Sequence, residues 1–194
     1  MPISHQHKII FIHVPKCAGT SVTKSLNMID GGHHSAKFYQ SKYTKEWNQY
    51  DKITIVRNPW DRLVSNYEYA RKEKSYWHDS RSDKCGDKGR HPDYDILIKS
   101  SFNECVDLLI KNQLKHKFLW QPQCNYICLN NKPACKIFKY ENLNQDIEFN
   151  SLIPNLLKLN INKKYKYQDY YNEETKNIVS QFYKKDLELL NYSF

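Results

Sequence analysis

Glycine is the first shortage. The chain has 5 in 194 residues, too few for a glycine-rich sandwich or a flexible-linker architecture. Long apolar runs are missing as well: no stretch approaches the roughly 20 apolar residues that a membrane-spanning helix needs. The opening segment, residues 1–7, is polar and lacks the apolar core of a secretory signal. These absences predict a soluble chain made in the cytoplasm; a Golgi-lumenal or secreted origin would require a longer precursor. The six cysteines, Cys17, Cys85, Cys105, Cys124, Cys128 and Cys135, form no zinc framework. Cys124-x3-Cys128 has no second well-spaced pair, although His116 lies upstream. Scattered thiols are expected instead. Internal repeats and a domain boundary are absent too, so residues 1–194 read as a single domain, long enough to bury roughly 70% of the unfolded surface.

Positive charge is plentiful. A formal net charge of +9 attracts anions: nucleic acid, anionic lipid, sulfated or carboxylated glycan, or a nucleotide. The 15 tyrosines carry no assignment, because AT-rich coding DNA alone produces such a bias.

Lys8–Val14 (KIIFIHV) is a short β-branched apolar run, the pattern of a strand buried on both faces, and Pro15 ends it. A tight loop reaches Gly19. Thr20 or Ser21 can then cap a helix running toward Met28, closed by Asp30-Gly31-Gly32. Lys52–Val56 (KITIV) is a second buried-type strand. Asn58 and Pro59 then supply a cap and a first helical residue for a helix carrying Trp60, Leu63, Val64 and Tyr67. Lys72–Asp95, with Gly86 and Gly89, has no periodicity and reads as a long substrate loop. Ser101-x-x-Glu104 is a capping box. Lys136–Tyr140 (KIFKY) reads as a third strand, Ser151–Leu159 as a helix around Pro154, and Glu173–Leu190 as one amphipathic helix. Strands alternating with helices predict an α/β fold: three layers, P-loop-like, with a central parallel sheet flanked by helices. Ligands of such sheets bind beyond the carboxyl ends of the strands.

Two segments sit at that edge. In His13-Val14-Pro15-Lys16-Cys17-Ala18-Gly19-Thr20-Ser21, a strand runs through a loop into a helix start, where backbone N–H groups and the helix dipole favour an anion. Lys16 adds a full charge, Thr20 and Ser21 add hydroxyls, and Gly19 allows close backbone approach. The nucleoside-triphosphatase pattern G-x-x-x-x-G-K-S/T is not matched, since Lys16 precedes the only glycine. In Val56-Arg57-Asn58-Pro59-Trp60-Asp61-Arg62-Leu63-Val64-Ser65, Arg57 ends a strand with a guanidinium suited to phosphate. Ser65 lies about two helical turns on. Arg62 is either a second cation of the site or a structural residue.

Together, in this order, these segments resemble the carbohydrate sulfotransferases (heparan- and chondroitin-type, sulfotransferase family 2) and their bacterial and viral relatives. Lys136–Leu143 and the end of the chain resemble later parts of the same family, with Lys139 where relatives carry arginine. The resemblance implies 3′-phosphoadenosine 5′-phosphosulfate (PAPS) as donor and the bisphosphate PAP as product. It implies that Pro15, Lys16, Cys17, Ala18, Gly19, Thr20 and Ser21 cradle the 5′ phosphosulfate, with Lys16 steadying the bridging oxygen. Arg57 and Ser65 would hold the 3′ phosphate. The acceptor would be a hydroxyl, on a glycan by family analogy, and its proton needs a base. His34 in Gly32-His33-His34-Ser35-Ala36 matches the family's histidine, with His33 the alternative. No metal is required if lysine and arginine supply the positive charge. Two other readings stand beside this one: a diverged nucleotide kinase, and a non-enzymatic basic module binding RNA or polyanionic glycan. No specific nucleic-acid motif supports the latter.

Overall fold

The computed structural model describes residues 2–29, 31–73, 75, 90–157 and 165–194. Along the chain run β1 (Ile3–Ser4), β2 (Ile9–Ile12), α1 (Gly19–Ser25), α2 (Ala36–Lys42), α3 (Thr44–Gln49), β3 (Asp51–Val56), α4 (Pro59–Ala70), α5 (Tyr94–Leu97), α6 (Phe102–Ile110), α7 (Lys117–Trp120), α8 (Cys124–Ile127), β4 (Cys128–Leu129), β5 (Lys132–Pro133), β6 (Lys136–Lys139), α9 (Ile147–Leu152), α10 (Glu173–Phe182) and α11 (Lys184–Leu190). The chain divides into two compact units. The first holds residues 1–58 and 122–164, the second residues 59–121 and 165–194.

The first unit is α/β. Its sheet has the order β1-β2-β3-β6, flanked by helices. β2, β3 and β6 are parallel, with Phe11 opposite Ile53 and Ile55 opposite Phe138. All of β2 and residues 53–56 of β3 are buried, as expected of β-branched strands covered on both faces. The expected parallel sheet is therefore present but not wholly parallel: β1, two residues long, pairs antiparallel with β2 at the edge. β4 and β5 form a separate hairpin.

Several boundaries move for local reasons. The first strand is shorter than 8–14 because Lys8 is left-handed, at φ 53°. α1 stops at Ser25 rather than near Met28. Asn27 adopts φ 49°, Asn27 N–H donates to Lys24 O, and Met28 N–H donates to Thr23 O, a Schellman closure built on asparagine in place of glycine. The helix expected at 151–159 is instead α9. Asp146 caps it by accepting from Phe149 N–H at 2.9 Å, and it ends before Pro154 because a residue preceding proline is pushed out of the helical region. Residues 158 and 159 lie outside the described residues.

The second unit is helical. Trp60, Leu63, Val64 and Tyr67 of α4 pack with Phe102, Val106 and Leu109 of α6 and with Val179 of α10. The capping box of α6 forms as read: Ser101 Oγ accepts from Glu104 N–H and Glu104 Oε2 accepts from Ser101 N–H. The helix expected over 173–190 is two, α10 and α11, broken at Tyr183. That residue is buried and its hydroxyl donates to Trp120 O at 2.6 Å. Most of the expected substrate loop, residue 74 and residues 76–89 with Cys85, Gly86 and Gly89, lies outside the described residues. Its far end begins a short helix, α5. Among the described residues no helix is long and apolar enough to cross a membrane.

Candidate functional site

The loop between β2 and α1 has an uncommon backbone. Lys16 (φ 66°) and Ala18 (φ 58°) are both left-handed, and Cys17 between them is not. A left-handed conformation costs a non-glycine residue on the order of 1–3 kcal/mol and persists only where the surroundings impose it. Such alternation turns successive N–H groups toward one concavity, a nest that holds anions. Ala18, not Thr20 or Ser21, is the residue ahead of α1: its carbonyl accepts from Ser21 N–H at 3.0 Å and no side chain caps the helix. The expected cap is thus corrected. Thr20 is half-buried within the first turn, and Ser21 is buried. Pro15 and Cys17 are buried too, and Lys16 is half-buried.

Gly19 has a packing role. A methyl group there would overlap Cδ2, Nε2 and Cε1 of the His13 imidazole. That ring is buried against Phe11 and lies 4.2 Å, centroid to centroid, from the His33 ring. Burial first, and the neighbouring His33 second, hold the His13 pKa well below its ordinary value, so the ring is neutral. Gly19→Ala is therefore expected to destabilise the protein by about 2–4 kcal/mol through overpacking. Thermal denaturation checks this, and Gly19→Ala/His13→Ala recovers part of the loss if the two side chains compete for one space.

Arg57 follows β3 directly. Its Nη1 donates to Lys16 O at 3.3 Å, and its guanidinium stacks 4.6 Å from the centre of the Tyr140 ring. Tyr140 follows β6, whose last residue, Lys139, stands opposite Val56. Both strand ends thus carry a cation on the same edge of the sheet. Next to Arg57, Asn58 N–H donates to Glu141 Oε1 at 2.7 Å. Gln123, buried, bonds both the N–H and the carbonyl of Arg57. Tyr140, Glu141 and Gln123 were not singled out as site residues by sequence. Tyr140 and Glu141 lie in a recognisable stretch, whereas Gln123 has no local signal.

The two histidines differ in surroundings. His33 Nδ1 is 3.0 Å from His13 O. A carbonyl only accepts, so Nδ1 carries a proton. His34 Nε2 is 3.1 Å from Gly31 O and donates to it, which in the neutral ring leaves the lone pair on Nδ1. The His34 ring stacks on Phe38 at 4.0 Å. Its pKa is lowered, chiefly by burial; the Gly31 bond raises it in part, and Lys42 adds a lesser lowering.

Ser65 and Arg62 belong to α4 in the second unit. Ser65 is half-buried. Arg62 is fully buried and donates to Gln121 O and Leu119 O, each at 3.0 Å. Asn66 Nδ2 donates to the same Leu119 carbonyl at 3.1 Å. These bonds give Arg62 a structural part, shaping the turn after α7. Among the described residues no group of three or more His, Cys, Asp or Glu could hold a metal ion.

A family model described as "Sulfotransferase family" matches residues 1–193. No curated protein and no solved structure matches the chain.

Proposed function

Because the chain belongs to the sulfotransferase family, we propose that it moves a sulfuryl group from PAPS to an acceptor hydroxyl on a carbohydrate, by in-line displacement. One observation carries the reading: the left-handed loop at Lys16–Ala18 is tied to Arg57 through the 3.3 Å bond from Arg57 Nη1 to Lys16 O. A nest with its own lysine and a separate arginine suit a ligand with two anionic groups, as a bisphosphorylated nucleotide has. The whole of residues 1–194 is read as one sulfotransferase domain. The sheet of the first unit is read as the middle of a three-layer, P-loop-like arrangement.

PAPS, when bound, supplies a sulfuryl group on a phosphate that can leave. The N–H groups of residues 16–21 hold the 5′ end, and the Lys16 ammonium offsets charge gathering on the bridging oxygen as its bond to sulfur breaks. Arg57 holds the 3′ phosphate through its fork of donors. His34 Nδ1 accepts the proton of the acceptor hydroxyl as that oxygen bonds to sulfur.

A lowered pKa keeps the His34 ring neutral, and so able to act as a base, to lower pH. The reading therefore predicts that kcat/KM is at its plateau by pH 7 and falls only below the ordinary imidazole range near 6.5. His34→Ala should lower the plateau by about 10²–10⁴-fold and remove the acid limb. The direct test of function is transfer of labelled sulfate from PAPS across a panel of carbohydrate acceptors. Label appearing on a sugar hydroxyl supports the proposal. Phosphoryl transfer from ATP with Mg²⁺, and no sulfate transfer, would overturn it.

A further inference from the structure

Gln123 is 66 positions from Arg57 in the sequence, yet its fully buried side chain meets the backbone of that one residue twice. Arg57 N–H donates to Oε1 at 3.0 Å, and Nε2 donates to Arg57 O at 2.8 Å. This is the exchange that a neighbouring strand makes with a residue in a ladder, supplied by a side chain just beyond the last residue of β3. The two partners also fix the orientation of the amide, since an N–H must face the oxygen and a carbonyl the nitrogen. Oε1 also lies 3.4 Å from Cys17 Sγ, whose single S–H is shared with Pro15 O at 3.5 Å. Cys17 is the residue between left-handed Lys16 and Ala18. One buried oxygen therefore touches both the arginine segment and the middle of the anion loop.

We propose that Gln123 is a positioning residue: it sets the register between the loop at 16–18 and Arg57, and with it the spacing between the two anionic groups that the site accepts. The inference rests on the PAPS reading for the identity of those groups. The chemistry of the side chain is specific. Leucine or methionine would fill the space but leave Arg57 N–H and C=O without this partner. A carboxylate would accept from the N–H but oppose the carbonyl oxygen and add negative charge beside an anion site. Only an amide of this length satisfies donor, acceptor and thiol together.

The test is calorimetric titration of the full chain with PAP and with adenosine 5′-monophosphate, for wild type, Gln123→Ala and Gln123→Glu, with melting temperatures in parallel. Gln123→Ala should weaken PAP about 10–100-fold, because a loop displaced by a fraction of an ångström no longer meets both anions. The monophosphate, which needs no fixed spacing, should lose only about threefold or less. Gln123→Glu should be at least as damaging at about pH 8. It should recover relative to wild type as the pH falls toward about 5, where the introduced carboxyl gains a proton and again donates to Arg57 O. The inference is overturned if Gln123→Ala binds PAP within about twofold of wild type, or if both ligands weaken equally in step with a lower melting temperature. A wild type that ignores PAP overturns the donor reading itself, a different result from a binding wild type with an indifferent variant.

Discussion

Replacing Arg57 with alanine is expected to weaken PAP binding by about a hundredfold or more. A fork of charge-assisted bonds to phosphate is worth about 3 kcal/mol or above, and each 1.4 kcal/mol is about tenfold in affinity. The side chain is half-buried, donates to Lys16 O at 3.3 Å and stacks on Tyr140. The Gln123 bonds involve the Arg57 backbone and survive the change. Arg57→Lys should fall between wild type and alanine: it keeps the charge but loses the planar fork and most of the stacking. Titration of each variant with PAP checks this. Equal affinity in wild type and Arg57→Ala would remove Arg57 from the site.

Lys16→Ala carries the second large effect, and it falls on turnover. An ammonium placed where charge develops on a leaving oxygen acts more strongly in the transition state than in the bound state. Losing one such group is expected to lower kcat by about 10²–10³-fold with a smaller loss in PAP affinity. Alanine can occupy the left-handed backbone at 16 at a cost similar to that of lysine, since both carry a Cβ, so the loop keeps its shape. Steady-state kinetics beside PAP titration separate the two terms. A loss confined to KM would make Lys16 an ordinary binding residue.

The first two parallel strands were legible because each is a β-branched run with a charged or proline boundary, and burial on both faces leaves no other use for KIIFI or KITIV; β6, at the sheet edge with only Phe138 buried, was legible from a shorter run. The anion loop was legible as residues but not as a conformation. Nothing in Lys16-Cys17-Ala18 announces left-handed backbone at two non-glycine positions, because tertiary neighbours impose it. Helix ends failed where closure rests on tertiary or unusual chemistry: Asn27 in place of glycine at the end of α1, and the buried Tyr183 hydroxyl that divides α10 from α11. β1 is too short to leave a pattern.

Candidate residues separate in the same way. Lys16 and Arg57 carry charge and are visible as soon as the strands are placed. Gln123 acts through a partner 66 positions away, and a glutamine in a Trp-Gln-Pro-Gln stretch gives no hint of it. Gly19 was visible as a loop glycine, but its fit against the His13 ring depends on a contact between strand and helix start that spacing does not reveal. Arg62 illustrates the opposite case: it looks like a site cation in sequence, while in the fold it is spent on two carbonyls.

The central claim is that this chain holds a nucleotide with two separated anionic groups, one on the loop at 16–21 and one on Arg57. Calorimetric titration of the wild-type protein with PAP tests it most directly. The account predicts saturable binding to a single site, weakened far more by removing either phosphate from the ligand than by changing the base. No binding at millimolar PAP, or binding that Lys16→Ala and Arg57→Ala leave intact, would contradict it.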